Sequence, residues 1–214
     1  MSWKSAALIA LAWLTACSGT PPGIAPDNGR LWEHRCPAAG TVVRASTGGI
    51  VTYAGQAGPG LCRRSDGSTA VYGLWILPRG QSRPDLQEWL GALFPASAGR
   101  TATTSQVGPS VDRRDSQMWL REAQVVGFEP LDLPAGRLDT VLIEWEDRGL
   151  VNNYHRSLHR RWLDTRTGAL VRSEVRILGG AGTESAWHAI SISSASAPLP
   201  PEPSGWSSSR RPRR

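Results

Sequence analysis

The sequence predicts a mainly β protein: a single antiparallel, curved meander sheet, built as a half-barrel or as two layers, with one short α-helix near residues 84–94. Three observations carry this. Apolar and polar residues alternate with period two through much of the second half, as half-buried strands require. Short glycine-bearing turns separate the runs, and short turns join antiparallel neighbours. One segment, Pro84–Phe94, switches to the helical period. The 214 residues are 40% hydrophobic and 20% charged. That allows one packed domain with extensions and excludes a wholly disordered chain, a collagen and a coiled coil.

Each element follows from its local pattern. Thr41–Ser46 and Ile50–Ala54 flank Thr47-Gly48-Gly49, which predicts a hairpin. Leu61–Ser65 and Ser68–Leu77 flank Asp66-Gly67, a dipeptide suited to the positive φ angles of a type I′ turn. In Pro84–Phe94, Leu86, Trp89, Leu90 and Leu93 fall at i, i+3, i+4 and i+7. That is one face of a short helix, with Pro84 in its first turn. Residues 95–115 are small and polar and are expected to form a long loop. Trp119–Val126, Phe128–Leu133, Leu138–Glu146, Asn153–Leu163, Ala169–Leu178 and Ala186–Ser193 are expected strands. Pro134-Ala135-Gly136, Arg148-Gly149 and Asp164–Gly168 are the expected turns. Val141, Ile143 and Trp145 alternate with Leu142, Glu144 and Glu146. Val171, Ser173, Val175 and Ile177 alternate with Leu170, Arg172, Glu174 and Arg176. One face is apolar and the other wet. The first half either continues this sheet or packs on it as a second layer.

The N-terminus reads as an address. Residues 1–17, MSWKSAALIALAWLTAC, place Lys4 before an apolar run from Ala6 to Leu14. A spanning helix needs roughly 20 residues, so the run fits the apolar region of a secretory signal peptide. Leu14-Thr15-Ala16-Cys17 then resembles the lipobox of bacterial lipoproteins. The resemblance implies a signal peptide over 1–16, a diacylglycerol on the Cys17 sulfur, cleavage before that residue and acylation of the new amine. Two or three chains make a stable anchor where one does not. In enteric bacteria an aspartate after the cysteine favours the inner membrane. Ser18 stands there instead, so the expected site is the outer membrane, facing the periplasm. Residues 17–30 read as a flexible Pro/Gly-rich linker, 31–195 as a β-rich globular domain and 196–214 as a disordered Pro/Ser/Arg tail.

The net charge of +6 divides unevenly. Lys4 supplies one charge, and four arginines against one glutamate in 196–214 supply three, which leaves about +2. The folded part is nearly neutral, so nucleic acid is not an expected partner. With Cys17 taken, Cys36 and Cys62 remain. An even pair in an exported chain predicts a disulfide. Closing a loop of about 27 residues stabilises by roughly 3.5 kcal/mol in the chain-entropy model. The alternative is a pair of free or metal-binding thiols, and no Cys-x-x-His spacing supports it.

A second resemblance lies between Phe128 and Ile177. Leu133-Pro134-Ala135-Gly136, an apolar strand, Trp162 with Asp164, and Gly168-Ala169-Leu170-Val171 follow in order. These hairpins resemble periplasmic lipoproteins with a curved antiparallel sheet, of the LolA/LolB type. The resemblance implies a curved sheet closed by a helix and a hydrophobic groove. No binding residue of that family carries over to a position here.

The candidate chemistry concentrates on NNYHRSLHRRWL, residues 152–163. On a strand, His155 and His159 share a face about 13 Å apart, too far to hold one metal ion. They read as part of a solvated face, and no metal or other cofactor is expected. The opposite face carries Tyr154, Arg156, Leu158, Arg160 and Trp162, on what should be the core side. Buried arginines need partners. Either Arg156 and Arg160 pair across the sheet with Glu144, Glu146 or Glu174, or they line a groove with Tyr154, Trp162 and Trp145 and meet an anionic ligand. Ten tryptophans, eight of them beyond the signal, serve a core or such a groove. There is no Gly-x-Ser-x-Gly elbow, no P-loop and no Gly-x-Gly-x-x-Gly after a strand.

These readings describe a non-enzymatic, lipid-anchored envelope protein that binds an apolar or amphiphilic ligand in a sheet groove. The alternative is a surface interaction module with a filled core and a basic tail. The less favoured one is a cryptic hydrolase using acids on 138–147 and 153–163. Expected partners are the membrane, through the anchor, and a lipid, glycan or envelope protein.

Overall fold

Turn chemistry sets the architecture of the first half. The computed structural model describes residues 29–109, 116–150 and 155–194. The expected signal peptide, Cys17, most of the linker, Tyr154 and the C-terminal tail lie outside them. Strands β1 (Val42–Ala45) and β2 (Ile50–Gly58) are joined by a loop in which Gly48 takes φ 85°. β3 (Leu61–Arg64) and β4 (Thr69–Val71) are joined the same way, with Gly67 at φ 83°. Each loop closes with matching bonds, Gly48 N–H to Ala45 O and Gly67 N–H to Arg64 O. This is a three-residue hairpin loop rather than the expected type I′ turn at Asp66-Gly67. The reason is local: the Asp66 carboxylate accepts from the Ser68 N–H (2.9 Å) and hydroxyl (2.6 Å), so Asp66 need not adopt a positive φ.

The two consecutive positive φ angles occur further on, at Tyr72 (49°) and Gly73 (70°). They break the strand expected over Ser68–Leu77 into β4 and β5 (Trp75–Leu77). A tyrosine there is strained. Its ring is held by stacking on Phe94, centroids 4.8 Å apart.

Helix α1 (Pro84–Gly91) follows, with Pro84 in its first turn and Asp85 near its positive end. Leu86, Trp89 and Leu90 are buried, and Leu93 is buried just beyond the helix. α1 touches both β4 and β6 (Thr101–Pro109), so it bridges the two ends of the sheet. β6 takes the middle of the long loop expected over 95–115, of which residues 110–115 lie outside the described ones. Its sequence, TATTSQVGP, lacks large apolar residues, yet it pairs with β7 (Ser116–Leu133) at every residue. Threonine's branched Cβ and an adjacent long strand suffice for an edge strand.

β7, β8 (Gly136–Gly149), β9 (Arg156–Asp164), β10 (Leu170–Gly179) and β11 (Ser185–Ser193) complete the expected antiparallel meander. β7 is one strand where two were expected, kinked by a bulge between Val125 and Gly127. The eleven strands among the described residues form one open sheet, β5-β4-β3-β2-β1-β11-β10-β9-β8-β7-β6. The first half therefore continues the sheet. A single seam, β1 against β11, joins two meanders.

The sheet curls around one core, in which β4–β5 and α1 meet Ala123, Val125, Val141, Ile143 and Trp145. This is the inner face. The far end of the β7–β8 hairpin folds back over the outer face, packing Val126, Leu131 and Leu133 near Leu142 and Trp162. The expected disulfide joins Cys36 to Cys62 on β3.

Candidate functional site

Strand register decides which side chains meet inside the curl. β8 against β9 sets Trp145 opposite His159, Ile143 opposite Arg161 and Asp147 opposite Ser157. β9 against β10 sets Arg161 opposite Ser173 and His159 opposite Val175. Directly opposed residues share a face, so Ser157, His159 and Arg161 all point inward with Trp145.

A cavity of about 520 Å³ opens between this face and the first meander. Its volume is that of a small-molecule pocket, for which roughly 300–1,000 Å³ is usual. Val43, Val51, Tyr53, Leu74 and Leu170 supply apolar wall, and Trp75, Trp145 and Trp187 line it as well. Ile76, also a lining residue, is 44% exposed. Among the described residues, the charged lining groups are Arg64 and Arg161, with His159 beside them, and no aspartate or glutamate lines the cavity.

Arg161 is held in place without being neutralised. One terminal nitrogen donates to the carbonyls of Arg160 and Glu174, both at 3.1 Å. The guanidinium carbon lies 5.0 Å from the Trp145 ring, a cation–π contact. Burial pulls its pKa down to about 10, partly offset by the charge of Asp147, so it stays cationic at neutral pH. Arg64 is 3.6 Å from the exposed Asp66 carboxylate, and its Nε is buried with no hydrogen-bond partner among the described residues. Trp145 Nε1 and His159 Nδ1, in two other lining residues, are also buried without hydrogen-bond partners among the described residues. Such groups cost roughly 1–3 kcal/mol each.

A polar chain runs from the cavity floor along the inner face. Arg121 donates to Asp147 at 2.9 Å and to Gln106 at 2.8 Å. His159 Nε2 lies 3.4 Å from Asp147 and 3.0 Å from the Ser157 hydroxyl. Ser157 lies 3.3 Å from His155 Nε2, while His155 Nδ1 donates to Ala181 O at 2.8 Å. Because a carbonyl only accepts, His155 Nδ1 carries a proton. Burial alone would raise the Asp147 pKa. The His159 hydrogen bond and the Arg121 charge overcome that and hold it below the usual carboxylate range. The set includes serine, histidine and aspartate but is not a nucleophile triad. Asp147 and Ser157 both face the same nitrogen of His159, and Ser157 is buried away from the cavity lining.

The sequence-predicted groove residues divide between the two faces. Trp145 lines the cavity. Arg156 and Arg160 lie on the outer face and pair with Glu146 (2.7 Å) and Glu144 (2.6 Å), the cross-strand alternative. Trp162 is on that face too, donating to Glu129 with the Arg172 guanidinium over its ring. The expected assignment of the β9 faces is thus reversed: the histidines point inward and Arg156, Arg160 and Trp162 outward. The folded-back hairpin is the cause, because it buries Trp162 on the outer side and makes both faces of β9 look like a core. Arg64, Trp75, Arg161 and Trp187 were not foreseen. A signal for Arg161 existed, since the register of β8 against β9 places it on the face of Ile143.

His34 lies apart from this site. Its Nε2 is 4.0 Å from Cys62 Sγ, and its ring packs on Trp32, Tyr72 and Phe94. His34, Cys36 and Cys62 come close enough to hold a metal ion, but both sulfurs are joined in the disulfide. Burial lowers the His34 pKa to about 4.

No protein-family model matches this chain, and no curated protein does. Among solved structures it is similar to the hypothetical lipoprotein YmcC from Escherichia coli (K12), with 16% identity and a TM-score of 0.42, over 74% of this chain and 84% of that one. At that level the likeness carries no argument about fold or function.

Proposed function

We propose that this is an exported, lipid-anchored protein of the bacterial cell envelope that holds an apolar or amphiphilic small molecule in its inner cavity and carries out no chemistry on it. The observation that supports the reading best is the cavity itself: about 520 Å³ of largely apolar, tryptophan-rich space with a partly exposed isoleucine among its lining residues. A concave, mostly apolar space of that size with a few polar groups is the usual form of a small-molecule site. The lipobox-like Leu14-Thr15-Ala16-Cys17 supports the anchor, and Ser18 the outer rather than the inner membrane.

Two measurements test the two halves of the reading. The full chain expressed in a bacterial host with radiolabelled palmitate is expected to take up label, and Cys17→Ser to take up none. An unlabelled wild-type chain overturns the anchor. A native mass spectrum of the protein from the same host is expected to carry an extra mass that is lost on denaturation. A bare mass that stays bare after incubation with lipid extract overturns the holding role.

A further inference from the structure

We propose that the cavity selects a single-chain amphiphile with an anionic head, and that Arg161 is the residue that receives the head. This rests on the holding role above and specifies its ligand class.

The argument begins with charge. Among the described residues, two arginines and no carboxylate line the cavity. The inner-face carboxylate nearby, Asp147, is already shared between Arg121 and His159. A guanidinium removed from water without a counter-ion is costly, and such groups are ordinarily paired. The outer face of the same strand obeys that rule, with Arg156 and Arg160 each on a glutamate. Arg161 departs from it. Its NH1 is committed to two backbone carbonyls and its plane to Trp145. Its Nε and other terminal nitrogen, the two-pronged edge that fits a carboxylate or phosphate, make no hydrogen bond to the described residues. The side chain is therefore oriented at one end and available at the other. Arg64 adds a second positive charge to the same cavity.

Size and shape specify the rest of the ligand. At about 30 Å³ per water-sized group, the space holds roughly 17 such groups. One chain of about 14 carbons with a compact head matches that volume. The apolar walls suit the chain, and Ile76 and Trp187 suit a tail that threads outward. Carboxylate and phosphate heads both satisfy the arginine edge.

The test uses the full-length chain in nanodiscs of zwitterionic phosphatidylcholine. Three photoreactive 14-carbon probes are compared at equal dose: the fatty acid, the alkyl phosphate and the neutral alcohol. Crosslinks are mapped to peptides by mass spectrometry. One or both anions are expected to label cavity peptides at least tenfold more than the alcohol, and their ratio tells which head is preferred. Arg161→Met is expected to bring anion labelling down to the alcohol's level while alcohol labelling persists, which also reports that the variant is folded. Arg176→Met, an exposed control, is expected to change nothing. Equal labelling by acid, phosphate and alcohol overturns the anionic head and leaves the holding role standing. Labelling of the cavity by none of the three overturns both. An anion preference that survives Arg161→Met overturns the assignment of the head to that residue.

Discussion

Arg160 and Arg161 are adjacent on β9 and meet different chemistry. Arg160 points outward and donates to Glu144 at 2.6 Å, with both side chains partly in water. Arg161 points inward to backbone carbonyls, a tryptophan ring and a cavity lined by no acid among the described residues. The outer face behaves as a wet antiparallel surface, where charges pair across strands and each pair contributes little. The inner face holds a neutralised cluster around Asp147 and, beside it, Arg161 facing the cavity. The difference teaches that the inner face is not only a core. A sheet face devoted to packing alone would place an aliphatic residue opposite Ile143, as it places Leu163 opposite Val141.

Substitutions can sharpen or break this contrast, and the largest effect is expected at the neutralised cluster. Asp147→Asn strands Arg121, which is only 10% exposed, against Trp75. Urea denaturation should show a loss of about 3–5 kcal/mol, the usual cost of breaking a buried pair from one side. A loss under about 1 kcal/mol would mean that water reaches the cluster.

The next test extends the comparison to a cation the fold excludes. His34 packs on aromatic rings and beside a sulfur, and burial lowers its pKa to about 4 from 6.5. The unfolded chain then binds the proton first. Stability is unaffected above pH 6.5, falls as pH drops from 6.5 to 4, and is lower by at most roughly 3 kcal/mol below that. His34→Phe keeps the ring packing and should flatten the pH dependence of the melting temperature in this window. An unchanged slope would place the acid sensitivity elsewhere.

Arg161→Met should leave the stability of the ligand-free protein unchanged or raise it by about 1 kcal/mol, because it removes a cation whose burial outweighs the favourable charge of Asp147. A loss above about 2 kcal/mol in thermal unfolding would make Arg161 a structural residue and dissolve the contrast. The smallest effect is expected from Arg160→Met, under about 1 kcal/mol and less in 1 M salt, as for an exposed pair.

Much of the fold is legible in the sequence where one rule acts alone. Val141, Ile143 and Trp145 are buried as their alternation requires, and α1 turns its predicted face inward. Legibility fails where two rules act at once. Asp66-Gly67 has the composition of one turn, but the Asp66 carboxylate selects another. β6 has a loop's composition and becomes a strand because β7 is there to pair with it. Trp162 marks burial correctly and the wrong side of the sheet, since the covering hairpin comes from residues 30 positions away. The cavity was the least legible part. It depends on which residues of the first meander face β8–β10 across the curl, and no local period encodes that.

The seam between β1 and β11 bears on how the site comes into being. Each meander is built from neighbours in sequence and needs only short loops to close. The seam pairs Val42 with Ser193, nearly the whole described chain apart. Non-local pairings of this kind are late and slow, because the entropy of closing the loop precedes any reward. β1 and β2 carry Val43, Val51 and Tyr53 of the cavity wall, while β9 and β10 carry Arg161 and Ser173. The two sides of the cavity meet only when the last strand docks. A chain emerging N-terminus first is thus expected to acquire its disulfide within the first meander before it has a place to hold anything, and ligand protection should appear only with the final strand.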